Sequence, residues 1–202
     1  MHSEAVLSHN DHLHHQNEGD STDVFGFWMY ILTDCLLFGC LFATYVVLIN
    51  PSLHGPTLGN YLNLRDILIE TFLLLISNLT FCLAILSLNR SQLFKVQFWL
   101  ILTFLFGAGF VYMEITEFIH IAHAGFRWDT SAEASAFFTL VGTHGLHVSF
   151  GLLWIILMVI QLPILKINHI TKRRMTYLGL FWNFLDIVWI FVFTVVYLMG
   201  AI

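Results

Sequence analysis

Residues 96 to 124 read VQFWLILTFLFGAGFVYMEITEFIHIAHA. The stretch exceeds the ~20 apolar residues that a helix needs to cross about 30 Å of hydrocarbon. Its second half nevertheless carries Glu114, Glu117, His120 and His123. Ionisable side chains are costly in lipid, so we expect these residues to bind metal, carry protons or join helices.

Four further apolar stretches are also long enough to cross a membrane as helices. Of the 202 residues, 58% are hydrophobic and 10% are charged, which is far from the composition of soluble proteins. The stretches lack the alternation of apolar and polar residues that is typical of strands in an outer-membrane barrel. A helix forms all its backbone hydrogen bonds within itself, as a segment in lipid must. The sequence therefore predicts an all-α integral membrane protein, a bundle of five transmembrane helices within residues 24–202. The predicted spans are about 24–49, 67–88, 96–124, 134–162 and 175–199.

Residues 1–23 form a polar tail with five histidines, five carboxylates and neither lysine nor arginine. The tail lacks the basic start and apolar stretch of a secretory signal, so we expect it to be retained. It cannot bury a core, which predicts a disordered, solvated segment. Metal binding by its histidines is the less favoured alternative.

The basic residues predict the orientation, because cytoplasmic loops of membrane proteins are enriched in lysine and arginine. A cytoplasmic N-terminus and periplasmic C-terminus place six basic residues inside and two, Arg65 and Arg127, outside. Lys172, Arg173 and Arg174 form a cluster that we expect to contact anionic lipid headgroups, at about 1 kcal/mol each. The six basic residues on the cytoplasmic side are Arg90, Lys95, Lys166, Lys172, Arg173 and Arg174.

Seven ionisable residues fall inside the spans, and each is expected to face the bundle. Their depths in the membrane, counted at ~1.5 Å of helix per residue, predict two layers of polar residues. The layer at mid-membrane holds Asp34, His144, His147 and Asp186. The layer nearer the outer surface holds Glu70, Glu114 and Glu117. Our favoured role for these residues is to orient helices through buried hydrogen bonds, ahead of proton transfer.

Metal chemistry is disfavoured by the spacing of the ligands. A di-iron bundle needs Glu-x-x-His on two helices, and the motif occurs once, at Glu117 and His120. His144 and His147 share a helix face, but a packed, hydrogen-bonded histidine beside Gly142 and Gly145 is the favoured interpretation. The cysteines are predicted to be small buried apolar residues. They are Cys35, Cys40 and Cys82.

The residues alone leave three functions open. An accessory subunit would use the buried acids to lock helices together. A proton-coupled transporter would use Asp34 and Asp186 as its titrating pair. A membrane metalloenzyme would use Glu117 and His120.

Four stretches resemble helices of subunit III of the haem–copper respiratory oxidases. Within that family the chain is most similar to the quinol-oxidising, cytochrome bo-type branch, which has five helices rather than seven. Asp34, where many cytochrome c oxidase members carry Glu, and Glu114, where they often carry Gln, also resemble that branch. The stretches are WMYILTDCLLFGCLFATY (28–45), EITEF (114–118), VGTHGLHVSFG (141–151) and FWNFLDIVWIFVFTVVYLMG (181–200).

The resemblance implies a multi-pass subunit of the bacterial inner membrane that carries no catalytic, cofactor-binding or metal-binding residue of its own. Its partners would be the catalytic haem–copper subunit I, subunits II and IV, and bound phospholipid. The complex would oxidise ubiquinol, reduce oxygen to water and pump protons. Subunit III would support the stability, lipid binding and proton uptake of its neighbour. Glu117, His144, His147 and Asp186 match intramembrane polar positions of the family.

Overall fold

A computed structural model describes residues 2–48, 64–90, 92–125, 127–165 and 168–198, with side chains from residue 24 onward except at 64, 164 and 165. These residues contain five α-helices and no strand, and each helix includes a segment long and apolar enough to cross a membrane. The predicted all-α protein with five potential spans is therefore confirmed. The helices are α1 His2–Leu48, α2 Leu64–Asn89, α3 Leu93–His123, α4 Ala132–Leu165 and α5 His169–Val192, and α5 continues as a π-helical segment over Phe193–Leu198.

The chain divides into two compact units, residues 1–37 and residues 38–202. The first unit is the leading part of α1. The segment of α1 that is long enough to cross a membrane begins at Val24 and ends at Leu48. The helix trace runs through residues 2–23, where the sequence predicts disorder. No side chain of this stretch is described, so the state of the tail stays a prediction.

Within the second unit, α2 to α5 form a closed ring. Each helix packs on the next one in the chain, and α5 returns to α2. Lipid tails offer no hydrophobic drive for helix association, so the ring depends on close packing. The ring of Trp182 provides an example, because it lies against Gly107 of α3 and Gly151 of α4. A side chain at either glycine would meet the indole.

A hydroxyl cluster joins α2 to α3 inside the ring. Ser77 donates a hydrogen bond to the carbonyl oxygen of Thr103 at 3.0 Å, and the hydroxyls of Thr80 and Thr103 lie 2.9 Å apart. All three residues are buried. Hydrogen bonds of this kind stabilise helix pairs in membranes, and they explain how three polar residues fit in an apolar core.

The fourth helix continues through Pro163, where the sequence predicts an end. Proline lacks the N–H that would bond the carbonyl of Val159 one turn earlier. Gln97 of α3 supplies the missing donor, because its Nε2 lies 3.3 Å from the Val159 oxygen. The helix extends to Leu165. Its segment apolar enough to cross a membrane ends at Pro163, close to the predicted end of the fourth span at residue 162.

The prediction of buried cysteines is wrong. All three sulfhydryl side chains are exposed on the surface of the described helices. A thiol is small and weakly polar, so it fits a lipid-facing position as readily as a core position. The three residues are Cys35, Cys40 and Cys82.

Candidate functional site: the polar residues inside the bundle

His144 lies at the centre of an aromatic cluster. Its side chain is fully buried, and its ring stacks on the indole of Trp189 with the centroids 5.3 Å apart and an interplanar angle of 29°. Phe110 of α3 approaches both rings edge-on, with its centroid 4.6 Å from that of Trp189. Neither imidazole nitrogen has a hydrogen-bond partner among the described residues. The imidazole is thus packed among aromatic rings, and the hydrogen bond expected for it is not found among the described residues.

Trp189 is held in place by a hydroxyl that sequence reasoning missed. Its Nε1 donates a hydrogen bond to Thr71 Oγ1 of α2 at 3.1 Å, and the same hydroxyl donates to the carbonyl of Ile67 at 2.9 Å. This chain of two hydrogen bonds fixes the indole against which His144 packs. A threonine that bonds its own helix is common in membrane helices, so the sequence carried no signal for the link.

His147 occupies a different environment from His144, although the two share a helix face. Its Nδ1 lies 2.8 Å from the carbonyl oxygen of Thr143, and its ring lies 5.3 Å from that of Phe38. The side chain is half-buried. The two histidines therefore do not form a matched pair of ligands.

Glu114 packs its carboxyl group on Gly145 of α4. A Cβ at residue 145 would lie 2.7 Å from Oε2 and 2.8 Å from Oε1. The side chain is 2% exposed, and Oε1 has no partner in the described structure. Because Gly145 follows His144, Glu114 lies at the depth of the histidine. Its assignment to a separate outer layer is wrong, since both residues lie about equally far from the loop that joins α3 to α4.

Glu70 and Glu117 face a common groove between α2 and α3. The groove has a volume of about 350 Å³, and Asp66 and His120 line its end near the start of α2. Glu117 accepts a long hydrogen bond of 3.5 Å from the hydroxyl of Tyr197, which belongs to the π-helical segment. We call this feature the α2–α3 groove. Its lining residues are Asp66, Glu70, Tyr112, Met113, Thr116, Glu117 and His120.

The two aspartates predicted for mid-membrane are both buried. Asp186 of α5 is 4% exposed, and neither carboxyl oxygen has a hydrogen-bond partner among the described residues. Its burial agrees with the expectation that it faces the bundle. Asp34 is 6% exposed and belongs to the first unit.

The predicted lipid-binding cluster begins α5. Lys172 and Arg174 are exposed near the start of that helix, and Arg173 is half-buried between them. Arg174 also donates a hydrogen bond to Gln161 of α4 at 3.3 Å. Lys172 and Arg174 are thus accessible to solvent or headgroups, and Arg174 also links α5 to α4.

Glu117 and His120, the pair required by the metalloenzyme alternative, do line one groove. Within the described ranges, no group of three histidine, cysteine, aspartate or glutamate side chains could hold a metal ion. The contacts that the structure does show, the stacking of His144 on Trp189 and the hydrogen bond from Trp189 to Thr71, join neighbouring helices.

Comparison with known proteins extends these observations to the whole chain. The family "Cytochrome c oxidase subunit III" matches residues 4–201. The chain belongs to this family. The resemblance of four separate stretches to subunit III of the haem–copper oxidases is thereby confirmed.

Several curated relatives cover nearly the full length of this subunit III family member. Cytochrome bo(3) ubiquinol oxidase subunit 3 of Pseudomonas aeruginosa is 49% identical over 96% of this chain and 92% of its own length. The protein of that name from Pseudomonas putida is 46% identical over 100% of this chain and 98% of its own length. Cytochrome c oxidase subunit 3 of Bacillus subtilis is 43% identical over 88% of this chain and 86% of its own length. The five membrane-length helices and the family together identify a multi-pass membrane protein.

Proposed function

We propose that this chain is subunit III of a proton-pumping ubiquinol oxidase of the aerobic respiratory chain. The observation that carries the proposal is the 49% identity to a ubiquinol oxidase subunit 3 over almost the whole length of both chains. The complex reduces oxygen to water, and this subunit contributes no active site to that reaction. Haem and copper belong to the partner catalytic subunit.

The polar residues inside the bundle act as structural links in this proposal. His144 stacks on Trp189, Trp189 is anchored to Thr71, and Glu114 seats on Gly145, so each residue joins two helices. The links hold a rigid bundle beside subunit I, with subunits II and IV completing the complex. The rigidity supports the stability of the neighbouring subunit and its proton uptake.

The proposed setting is the bacterial inner membrane, with the N-terminus in the cytoplasm and the C-terminus in the periplasm. The excess of basic residues in the loops on one side supports this orientation. It puts Lys172, Arg173 and Arg174 at the inner surface, where anionic phospholipids attract cations. Bound phospholipid is therefore part of the proposal.

Co-purification tests the proposed function. A tag is placed on the chain in its native host, the membranes are extracted in mild detergent, and the product is examined by native gel, haem spectrum and mass spectrometry. We expect the chain to migrate with a larger haem-containing polypeptide. Migration without companions, combined with substrate-dependent proton uptake after reconstitution, would favour a transporter that uses Asp34 and Asp186.

A further inference from the structure

The α2–α3 groove brings together several acidic side chains that form no described ion pair. Asp66, Glu70 and Glu117 line it. None of these acids forms an ion pair with a described cation. Carboxyl groups in a partly apolar groove are costly to ionise next to one another, and a positive group in the groove would stabilise their ionised form.

Glu70 contributes a buried carboxyl oxygen without a described partner to the lining of the groove. Its side chain is only 1% exposed, it lines the groove, and its Oε2 has no hydrogen-bond partner in the described structure. A buried polar atom without a partner is costly, so native structures rarely leave one. Oε2 itself is buried, and the groove that Glu70 lines is the side from which a side chain outside the chain would approach its carboxyl group.

The chain itself has few cations that could fill the groove. Of its eight basic residues, two lie at the end of the bundle where α2 begins and α3 ends, namely Arg65 and Arg127. Arg127 pairs with Asp129 at 3.4 Å. Arg65 is exposed beside Asp66 and forms no described ion pair with the three acids. Residues 49–63, which precede α2, contain neither lysine nor arginine.

We infer that the α2–α3 groove receives a lysine or arginine side chain of a neighbouring polypeptide in the complex. Asp66 and Glu70 lie one helical turn apart on α2, and both line the groove. A long cationic side chain can cover that distance with its charged group on the acids and its apolar stem against Met113. The inference rests on the proposed function, because it requires a partner.

Photo-crosslinking in the assembled complex tests the inference directly. Tyr112 lines the groove and is 73% exposed, so a benzoylphenylalanine there replaces one aromatic side chain with another. The probe reacts with any nearby C–H bond. We expect a covalent product with another subunit, mapped to a peptide that contains lysine or arginine. A product with lipid only, or with a peptide that lacks a cation, overturns the inference.

Charge substitution provides a second test. Glu117→Lys should lower the retention of the chain in the complex several-fold after a high-salt wash, because it places like charges together. Asp129→Lys makes the same change in charge at the same end of the bundle, outside the groove, and should leave retention unchanged. The isosteric pair Glu70→Gln and Glu117→Gln removes the charges with little change in shape, and it should weaken retention without loss of folded protein.

The possible outcomes are distinct. Equal retention of Glu117→Lys and Asp129→Lys contradicts the inference, as does full retention of the double glutamine variant. Failure of the unsubstituted chain to co-purify with any larger polypeptide rejects the proposed function, and with it the inference.

Discussion

The indole of Trp182 packs directly against the backbone of Gly151. A Cβ at residue 151 would lie 2.8 Å from Cζ3 of the ring, closer than real contacts allow. The ring is 1% exposed, so it has no free space into which to move. The absence of a side chain at residue 151 is thus a condition for the contact between α4 and α5.

Gly151→Ala should therefore destabilise the bundle. The new methyl group overpacks the core, which typically costs about 1–3 kcal/mol in the free energy of unfolding. Gly142→Ala is the matched control on the same helix, because its Cβ would meet its nearest neighbour, Phe118, at an ordinary 3.8 Å. Denaturant titration of the purified protein in mixed micelles measures both. Equal stability of the two variants contradicts this account of the contact.

His144→Leu should be tolerated, although the histidine is fully buried. Neither ring nitrogen has a partner among the described residues, so an apolar side chain of similar size loses no described hydrogen bond. We expect a change in unfolding free energy within ~1.5 kcal/mol. Trp189→Ala, in contrast, should cost about 3–5 kcal/mol because it removes the surface on which His144 stacks.

Thr71→Val serves as a control for the same cluster. It removes the acceptor of the Trp189 indole N–H and should cost roughly 1–3 kcal/mol. If His144→Leu is the more damaging of the two, the imidazole has a hydrogen-bond partner outside the described residues or on another subunit.

Gln97 and Pro163 should be energetically coupled. Gln97→Leu removes the donor to the Val159 carbonyl and should cost ~1 kcal/mol in the original background. Pro163→Ala restores a backbone N–H for that carbonyl, so the same Gln97 substitution should cost little in its presence. A double-mutant cycle measured by denaturant titration gives the coupling. An identical cost in both backgrounds means that Gln97 does not compensate for the proline.

Neutralising the basic cluster at the start of α5 should reduce the binding of anionic lipid. Each of Lys172, Arg173 and Arg174 is expected to contribute about 1 kcal/mol near a charged membrane surface. The triple glutamine variant should therefore retain much less anionic phospholipid per mole of purified protein, as measured by mass spectrometry. Arg127→Gln, in the loop at the opposite end of the bundle, is the control. Unchanged lipid content in the triple variant contradicts the proposed lipid site.

Features that depend on one helix at a time could be predicted from the sequence. Long apolar stretches predict the five helices because lipid leaves the backbone no alternative. The burial of Asp186 and Glu70 follows from the cost of exposing an acid to hydrocarbon.

Features that depend on how two helices meet could not be predicted in this way. The stacking of His144 on Trp189 depends on the relative rotation of α4 and α5, and the helix continues through Pro163 because α3 supplies a donor. The π-helical segment that presents Tyr197 to Glu117 also has no clear sequence signal. The exposed cysteines were predicted wrongly because a small thiol fits the core and the lipid face equally well.

The central claim is that the ionisable residues of this chain join helices in a subunit that has no oxidase chemistry of its own. Cofactor content and ubiquinol-dependent oxygen uptake, measured on the chain purified away from its companions and on the intact complex, test that claim most directly. We expect a colourless, inactive polypeptide from the first preparation and a haem-containing, oxygen-consuming complex from the second. A separated chain that holds haem, copper or iron in stoichiometric amount, or that consumes oxygen, would contradict the claim.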